Sequence, residues 1–598
     1  MKTTFTSVVL LVTAVALAAP PESVREAEIR RVAVFAKVRP SVVAVFAPGG
    51  QGGGSGVLID PEGFALTNFH VVEGSGPVMQ CGLPDGVLYD AVLVGLDRVG
   101  DVALIKLLPK KAGQPFPFAK LGDSDKVKAG DWSFAMGNPF LLATDYVPTV
   151  TYGMVSGVHR YQYPAGTFLE YTDCIQIDTS INPGNSGGPL FNADGELIGI
   201  NGRGSFDKRG RVNSGVGYAI SINQIKNFLG HLYAGIDTDH ATLGATVKTY
   251  EGEEGEAPRI LVQSILEESD AYRRGLQPED ELVEFAGRPI GSVNQYKNVL
   301  GIYPKGWRVP LTFRRENRKK EVLVRLQGLL PKEESGKPKQ PGQPRPPRTE
   351  RPKSDSEAAK LYKAKPGYAN AYFNNKAREK LLENVLLRGD FSIFGGKWIL
   401  DGELERKGGN RVPIKIEIAE KPDPEGKTPH TVVSVDLGGV TFALDPLKAN
   451  SDPRELRDPP GSGGLLMALY HYHRFLTQGP KGFEGECAHG GTEPLYRPAA
   501  DGQNVRPAER RIDCNVLVTE HAAVKSKWYF EKKDTALLGG EVWLAKDEDP
   551  CEIYFSDYET TVGRQLPFRI EIRVGDEIYG IIRVKNYHLD SGPAGGKP

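Results

Sequence analysis

Cysteine, long apolar runs and net charge are all scarce in this chain, and each shortage excludes a class of protein. Five cysteines in 598 residues are too sparse for the disulfide framework that stabilises small secreted domains. Lys and Arg total 74 and Asp and Glu total 75, so the formal net charge is −1. Because such a chain has no overall field that attracts polyanions, we expect no nucleic-acid partner and no electrostatic binding to an anionic membrane.

The longest apolar run lies at the N-terminus and is too short to span a bilayer comfortably. Lys2 supplies a positive charge, Phe5 to Ala18 form the run, and Ala16-Leu17-Ala18 is typical of a cleavage site. We therefore predict a signal peptide over residues 1–19 and a soluble protein in the periplasm or outside the cell; a retained N-terminal anchor is the alternative. No later segment is long and apolar enough to cross a membrane.

The cysteines leave one question open. Cys81, Cys174, Cys487, Cys514 and Cys551 cannot all pair within one chain because their number is odd. A disulfide among the three C-terminal cysteines is an alternative if the compartment is oxidising. Their spacing does not decide it.

Glycine is abundant instead, with 70 residues, and it separates short apolar runs. A helix is predicted over residues 23–37. From Ser41 to about Ile225, alternating runs bounded by Gly, Asp, Asn and Pro indicate many short strands, hence a barrel or a sandwich. A closing helix is predicted over residues 224–233.

Two further units and a linker follow. Residues 240–328 alternate strands with two short helices. Residues 329–364 are rich in Pro and basic residues, which predicts a solvated, extended linker, with contact to polyanions as the alternative. Residues 365–598 predict a large antiparallel sheet with one helix, at residues 464–478.

The segment INPGNSGGPL, residues 181–190, carries the chemistry. Its glycines allow a turn that exposes the hydroxyl of Ser186 and directs backbone amides into one small volume. The predicted oxyanion hole is Gly184, Asn185 and Ser186, with the amides of Gly184 and Ser186 as donors.

A serine hydroxyl needs a base to become a nucleophile. His70, in TNFHVV, is predicted at the end of a strand. Asp101, in GDVALIKL, is predicted at the start of a strand, where its carboxylate would orient the imidazole. Asp97 is the rival for the acidic role, and we interpret it as a turn residue. The catalytic prediction is therefore His70, Asp101 and Ser186.

These motifs resemble the trypsin-like serine proteases of the HtrA/DegP (Do-like) type. The matching stretches are KVRPSVVAV, GSGVLID, LTNFHVV, DVALIKL, AMGNPF, VTYGMVSGV, IQIDTSINPGNSGGPL and GVGYAI. The resemblance implies a mainly β fold, with a chymotrypsin-like double β-barrel over residues 37–232. It places His70 and Asp101 on the first barrel and Ser186 on the second. It also implies a homo-oligomer, a trimer formed through the N-terminal segment.

The resemblance also assigns a specificity pocket. Ser180 lies at its floor, with Ile181 beside it and Gly217 and Tyr218 in its wall. Because no carboxylate is present, we expect cleavage after small aliphatic residues rather than after Arg or Lys. Such residues are mostly buried in folded proteins, so unfolded or misfolded proteins are the expected substrates.

Residues 240–328 resemble the PDZ domain of the same proteases. Leu243, Gly244, Ala245 and Thr246 occupy the position of the loop that binds a peptide carboxylate, while the peptide adds a strand. Glu279 departs from the family pattern, which has a glycine there. A mainly structural or regulatory role is the alternative to the capture of C-terminal peptides.

The C-terminal domain has no specific motif. Cys487, His489, His471 and His473 lie close in the sequence, but their spacing matches no standard zinc site, so we predict no metal and no other cofactor. The strand pattern resembles the half-barrel of LolA-like lipoprotein-sorting proteins, at the level of fold alone. This β-rich (α+β) domain is the third part of the predicted architecture.

We therefore predict an exported serine endopeptidase that degrades unfolded or misfolded envelope proteins. Two alternatives come from other classes. One is a holding chaperone or peptide-binding adaptor with minor proteolysis. The other is an envelope scaffold that binds glycan or lipid through the C-terminal sheet.

Overall fold

The structure is a computed structural model that describes most of the chain. The described residues are 22–46, 53–138, 144–162, 171–206, 213–252, 257–329, 356–421, 430–446, 455–499, 505–546 and 548–592. The predicted signal peptide and most of the predicted linker lie outside these residues.

The first β-barrel presents two of the predicted catalytic residues. Six strands close on themselves in the order β4-β1-β2-β3-β6-β5, and a short strand, β13, extends β5. Side chains alternate along each strand of this barrel. One set fills the inside of the barrel and the other set faces the second barrel, as the two-residue period of a strand requires. The strands are β1 Val42–Phe46, β2 Gly53–Leu58, β3 Phe64–Thr67, β4 Val78–Gly82, β5 Leu88–Asp97, β6 Val102–Leu107 and β13 Asp237–Thr238.

The second barrel is also closed and carries the predicted nucleophile. Its strand order is β10-β11-β12-β9-β8-β7, and all pairings along it are antiparallel. The two closed barrels agree with the predicted double-barrel fold. The strands are β7 Trp132–Gly137, β8 Thr149–Gln162, β9 Tyr171–Ile177, β10 Pro189–Asn192, β11 Leu197–Phe206 and β12 Asn213–Ser221.

Among the described residues of the barrel region, three α-helices accompany the strands. The first, α1, covers Glu22–Val38 and precedes β1, as predicted. The second, α2, covers Phe69–Glu73 and follows β3. The third, α3, covers Ile222–Tyr233, and its buried face packs into the core that both barrels share.

The second unit is a small sheet with two helices. Its strand order is β15-β16-β17-β19-β20, with β18 paired to β17, while β14 and β21 form a separate two-stranded ribbon. Ser269 and Ser292 cap the two helices by accepting a hydrogen bond from the amide three residues on. The elements are β14 Ala241–Thr242, β15 Ala245–Tyr250, β16 Arg259–Ile265, α4 Asp270–Arg273, β17 Glu281–Phe285, β18 Arg288–Pro289, α5 Val293–Gly301, β19 Arg308–Arg315, β20 Arg318–Arg325 and β21 Gln327–Gly328.

The end of the predicted linker is folded, contrary to the sequence-based expectation. Helix α6, Glu357–Lys360, buries Ala358 completely in the core shared by the two barrels. A second helix that the sequence reasoning missed, α7, covers Ala371–Leu386 and contributes Phe373 to the same core. The composition of residues 329–364 concealed this because only a few apolar residues at its end do the packing.

The C-terminal unit is one antiparallel sheet of eleven strands. Its order is β25-β24-β23-β22-β32-β31-β30-β29-β28-β27-β26. The strands are β22 Trp398–Glu405, β23 Arg411–Lys421, β24 His430–Leu437, β25 Val440–Leu444, β26 Cys487–Tyr496, β27 Arg511–His521, β28 Val524–Glu531, β29 Leu537–Trp543, β30 Cys551–Thr561, β31 Arg564–Val574 and β32 Glu577–Leu589. Short 3₁₀ turns complete the described secondary structure: Arg39–Ser41, Ser124–Lys126, Glu455–Arg457, Gly479–Gly482 and Pro507–Arg510.

The sheet curves around one helix. Helix α8, Leu465–Gln478, was predicted from the sequence, and it packs against β24 and β25 as well as β29 and β30, which lie far apart in the strand order. One hydrophobic core joins this helix to both halves of the sheet. The inside of the curved sheet is therefore filled by the chain's own helix.

One irregular strand joins the three units. Strand β26 has a bulge between His489 and Thr492. There the Thr492 carbonyl accepts a hydrogen bond from the Trp307 indole of the second unit at 2.8 Å. Gly230 of α3 lies so close that an added Cβ would be 1.9 Å from the Thr492 hydroxyl. Asn374 of α7 donates to the His489 carbonyl at 2.8 Å.

All five cysteines lie within the described residues, and each has a free thiol. Four of them are buried and Cys487 is partly buried. The structure therefore answers the open question of a C-terminal disulfide: Cys487, Cys514 and Cys551 are not bonded to each other. Among the helices described, we find none with the length and apolarity that crossing a bilayer requires.

Two buried histidines on α8 couple stability to pH. Burial, followed by the charges of His521 and Arg474, lowers the pKa of His471 to about 3. Burial and Arg474 lower the pKa of His473 to about 4. His473 packs edge-on against Trp398, with 4.9 Å between the two ring centroids. Neither ring nitrogen of His473 has a hydrogen-bond partner among the described residues.

We expect the chain to lose stability as the pH falls below 6.5, the ordinary histidine pKa, because the unfolded state then binds protons that the folded state refuses. Between pH 7 and pH 5, His473 alone should lower the free energy of unfolding by about 2 kcal/mol. The variant His473→Phe should reduce the acid-induced fall of the thermal midpoint, measured by circular dichroism. His588→Phe, at a side chain that is 70% exposed, is the control. Equal pH dependence in both variants would contradict the assignment.

Candidate active site

The carboxylate of Asp101 organises the start of helix α2. Asp101 is fully buried in the turn before β6 and adopts a left-handed backbone, with φ of 57°. Its side chain accepts a hydrogen bond from the His70 amide at 3.0 Å. Its carbonyl accepts one from the Asn68 side chain at 2.9 Å and one from the Phe69 amide at 3.2 Å. One residue thus anchors the helix through both its side chain and its main chain.

The imidazole of His70 faces the same carboxylate. Its Nδ1 lies 2.8 Å from Oδ2 and 3.0 Å from Oδ1 of Asp101. A carboxylate only accepts hydrogen bonds, so Nδ1 carries the proton and Nε2 is left as the basic atom. The side chain is 38% exposed, so a substrate can reach it. His70 lies inside helix α2, one residue after its start, rather than at a strand end as predicted.

The pKa of His70 reflects opposing effects. Burial lowers it, but the hydrogen bond and the charge of Asp101, with a contribution from Glu73, outweigh burial, so the net pKa is raised above 6.5. The imidazolium is therefore stabilised by the same carboxylate that orients the ring.

Ser186 lies in the turn between β9 and β10, and this turn contacts the barrel that carries His70. The Ser186 carbonyl accepts a hydrogen bond from the Ser55 amide at 2.9 Å. A Cβ added to Gly54 would lie 2.9 Å from that carbonyl and 2.7 Å from the side chain of Val71, the residue after His70. The Ser186 hydroxyl donates to the Gly202 carbonyl at 3.3 Å. Within the described residues it has no hydrogen bond to His70.

The glycine-rich turn leaves two amides open. Gly184 has φ of 102°, a conformation that a side chain would strain. The Asn185 amide donates to the Asn182 carbonyl at 2.9 Å, so it is not a donor for an oxyanion, although Asn185 was predicted in the oxyanion hole. The amides of Gly184 and Ser186 have no acceptor in the part of the chain that the structure describes.

Asp97 belongs to a second histidine–carboxylate pair. Its carboxylate contacts Nε2 of His240 at 2.8 and 2.9 Å, and both side chains are buried. It also accepts a hydrogen bond from the Gly100 amide at 3.0 Å, which braces the turn that presents Asp101. Asp97 is the last residue of β5 rather than a turn residue, as interpreted from the sequence, although its side chain bonds to the turn that follows; its pairing with His240 was not foreseen.

The residues predicted for the specificity pocket lie together only in part. Ile181 is buried, and a Cβ added to Gly217 would lie 2.8 Å from its side chain. Tyr218 follows on β12 and is partly exposed. Ser180 is exposed, and its carbonyl accepts a hydrogen bond from the Thr151 hydroxyl at 3.3 Å.

The predicted peptide-binding loop lies at one edge of the second unit. Leu243 is buried, and Gly244 has φ of 75° with its amide donating to the Thr242 hydroxyl at 3.2 Å. Ala245 and Thr246 begin β15, which pairs only with β16 within the described residues. The hydroxyl of Tyr296, on α5, donates to the Ala245 carbonyl at 3.3 Å. A strand edge and a helix therefore lie next to each other.

Glu279 occupies a position where the family pattern has a glycine. It has φ of 69°, a left-handed conformation that glycine adopts without strain. Its carboxylate pairs with Lys248 at 2.7 Å.

The four residues considered for a metal do not form a site. The structure describes all of them, and no group of three or more His, Cys, Asp or Glu side chains is arranged to hold an ion among the described residues. His471 bonds to the Ser526 hydroxyl at 3.0 Å. His489 lies on β26, and its Nδ1 accepts a hydrogen bond from the Gly491 amide at 3.0 Å.

Sequence reasoning also missed Tyr171. Its hydroxyl donates to Oδ2 of Asp101, and no local sequence signal connects residues 70 positions apart.

Comparison with known proteins agrees with this site. The trypsin-like peptidase domain model matches residues 54–200. A DegP-like periplasmic serine endoprotease of Chlamydia muridarum is 34% identical over 277 residues, covering 45% of this chain and 53% of that protein. HhoB of Synechocystis, designated a serine protease, is 32% identical over 292 residues, covering 46% of this chain and 67% of HhoB. These matches define the class as trypsin-like peptidases.

A solved structure, the HtrA-type protease AlgW with a tripeptide, is 30% identical and covers 50% of this chain and 98% of AlgW, with a TM-score of 0.41. The chain belongs to the trypsin-like serine proteases of the HtrA/DegP type. It spans about half the length of the DegP-like chlamydial relatives that it matches.

We predict that His70 titrates above pH 6.5 and that Asp101→Asn moves the midpoint below 6.5, because burial then acts without the neighbouring carboxylate. The titration is followed by NMR of the imidazole in the Ser186→Ala protein. Glu73→Gln is the control and should lower the midpoint far less. A midpoint that Asp101→Asn leaves unchanged would contradict the pairing.

Proposed function

We propose that this protein is a serine endopeptidase that works by acyl transfer. The observation that carries the proposal is the contact of the buried Asp101 carboxylate with the accessible His70 imidazole, on the barrel that touches the glycine-rich turn with Ser186 and two open amides. Cofactors are not part of the proposed reaction.

The proposed reaction follows from these positions. His70 Nε2 removes the proton of Ser186, whose Oγ attacks the peptide carbonyl. The amides of Gly184 and Ser186 stabilise the negative oxygen of the tetrahedral intermediate. His70 then protonates the leaving amine, and water hydrolyses the acyl-enzyme.

One conformational step precedes the attack. The Ser186 hydroxyl must turn from the Gly202 carbonyl towards His70. Its hydrogen bond of 3.3 Å is longer than is usual for a hydroxyl donor, so the cost of breaking it is low. Catalytic hydrogen bonds commonly tighten only when substrate is bound.

The pocket supports small aliphatic residues at the cleavage site. Ile181 lies against Gly217, and Ser180 offers no charge. We therefore propose cleavage of unfolded or misfolded proteins, whose aliphatic residues are exposed. The names of the DegP-like relatives place them in the periplasm, and we propose the same location.

The second unit is proposed as a PDZ domain. The free edge of β15 beside α5 is suited to the addition of a peptide strand. The same helix also docks on the second barrel: the Asn298 side chain accepts from the Asp173 amide at 3.0 Å and donates to the His159 carbonyl at 2.6 Å. This contact supports a structural or regulatory role as well.

A homo-oligomer, a trimer by family resemblance, is also proposed. Exposed apolar side chains lie on α1 and on the adjacent face of the second barrel. They are Val24, Ile29, Val32, Trp132, Tyr152 and Met154, each at least 39% exposed.

Ser186→Ala should abolish degradation of casein by the full chain, with a loss of kcat on the order of 10⁶-fold. It should also abolish labelling by a fluorophosphonate, mapped by mass spectrometry. Ser556→Ala, on β30 of the C-terminal sheet, is the control and should retain both. Cleavage by the purified Ser186→Ala protein would overturn the peptidase proposal.

A peptide with an apolar C-terminal residue should bind the full chain as the free acid and far more weakly as the C-terminal amide, measured by fluorescence anisotropy. The reason is that loop amides can pair with a carboxylate but not with an amide nitrogen. Equal binding would contradict the capture of the carboxylate, and no binding would leave the structural role as the only one for this unit.

A further inference from the structure

Tyr171 contacts the candidate catalytic carboxylate from the opposite barrel. It is the first residue of β9, in the second barrel, and its side chain is 3% exposed. Its hydroxyl donates to Oδ2 of Asp101, which belongs to the first barrel. The hydrogen bond therefore joins the two barrels at the candidate acidic residue.

The acceptor atoms of Asp101 show what this donor supplies. Oδ1 accepts from the His70 amide, and both oxygens face the His70 imidazole. Apart from His70, Tyr171 is the donor to the carboxylate oxygens among the described residues. Asp101 is 0% exposed, so bulk water is not in position to replace this donor. A buried charge that loses a donor is costly, and its orientation is less well defined.

Gly202 makes room for the tyrosine. A Cβ at this position would lie 2.5 Å from Cε1 and 3.0 Å from the hydroxyl oxygen of Tyr171. The carbonyl of the same glycine accepts the hydrogen bond of the Ser186 hydroxyl. Tyr171 thus donates to the carboxylate and packs against the residue that holds the nucleophile.

The strand that carries Tyr171 is itself held in place. Two residues later, the Asp173 amide donates to the Asn298 side chain at 3.0 Å. The Asp173 carboxylate contacts the His159 ring at 2.6 Å and Arg288 at 3.1 Å. The position of the tyrosine hydroxyl is therefore set by contacts outside the triad.

We propose that Tyr171 is a positioning residue of the active site, which fixes the Asp101 carboxylate and moderates the basicity of His70. This inference rests on the proposed peptidase function. The tyrosine hydroxyl directs the positive end of its dipole at the carboxylate, so it weakens the negative potential that the imidazole experiences. Removing the hydroxyl should raise the pKa of His70 and loosen the orientation of its ring.

The test is Tyr171→Phe in the full chain. We expect kcat on a peptide substrate to fall roughly 10-fold, with KM within about 2-fold, since a hydrogen bond to a charged group is lost and peptide contacts are not. The acid limb of the pH profile of kcat/KM should move to higher pH. Besides Asp101, the charged group that raises the pKa of His70 is Glu73, which both proteins retain.

Tyr233→Phe is the matched control. The Tyr233 hydroxyl also donates to a carboxylate, Oδ2 of Asp60 at 2.8 Å, away from the triad. This control should keep the wild-type kcat and pH profile. If Tyr171→Phe gives the same kcat and acid limb as Tyr233→Phe, the proposal is overturned.

A second substitution covers the case in which Tyr171→Phe does not fold. Site-specific 3-fluorotyrosine at position 171 keeps the ring and the hydroxyl but makes the hydroxyl a stronger donor. The acid limb should then move to lower pH, and an unchanged limb would overturn the proposal. Cleavage by Ser186→Ala would instead refute the peptidase function, so the two failures are distinguishable.

Discussion

The buried carboxylate of Asp101 is the constraint on which the arrangement depends. An ionised carboxylate without water is costly unless donors surround it. Here the donors come from helix α2 and from the second barrel. Satisfying one charge therefore fixes the start of the helix, the tautomer of His70 and the relative position of the two barrels.

Close backbone approach is the second requirement. Gly187 has φ of 82°, and a Cβ there would lie 2.2 Å from the Ser55 carbonyl and 2.4 Å from the Thr67 hydroxyl. A Cβ at Gly202 would likewise lie 2.5 Å from the ring of Tyr171. The turn that carries Ser186 can approach the first barrel only because these positions lack side chains. Close approach also depends on a missing side chain at the bulge of β26, where Gly230 of α3 packs directly on Thr492.

Several parts of the molecule were predictable because their signals are local. Alternating runs predicted the strands of both barrels, and helical spacing predicted α1, α3 and α8. Helix α7 was missed because its polar residues, as in NNKAREK, mask the few side chains that pack. The motif around Ser186 predicted an exposed hydroxyl, yet which amides stay open depends on the hydrogen bond from Asn185 to Asn182.

The sequence by itself determined which residue types are available for the chemistry: a serine in a glycine-rich turn, and a histidine and an aspartate next to barrel strands. These residues can be recognised in the sequence because the signal for each one comes from its immediate neighbours. Only the tertiary structure decided that Asp97 pairs with His240, that Tyr171 completes the shell of Asp101, and that the curved sheet encloses its own helix. Each of these contacts joins residues far apart in the chain. They form because burying these residues together is favourable in the folded protein, and this produces no periodic pattern in the sequence.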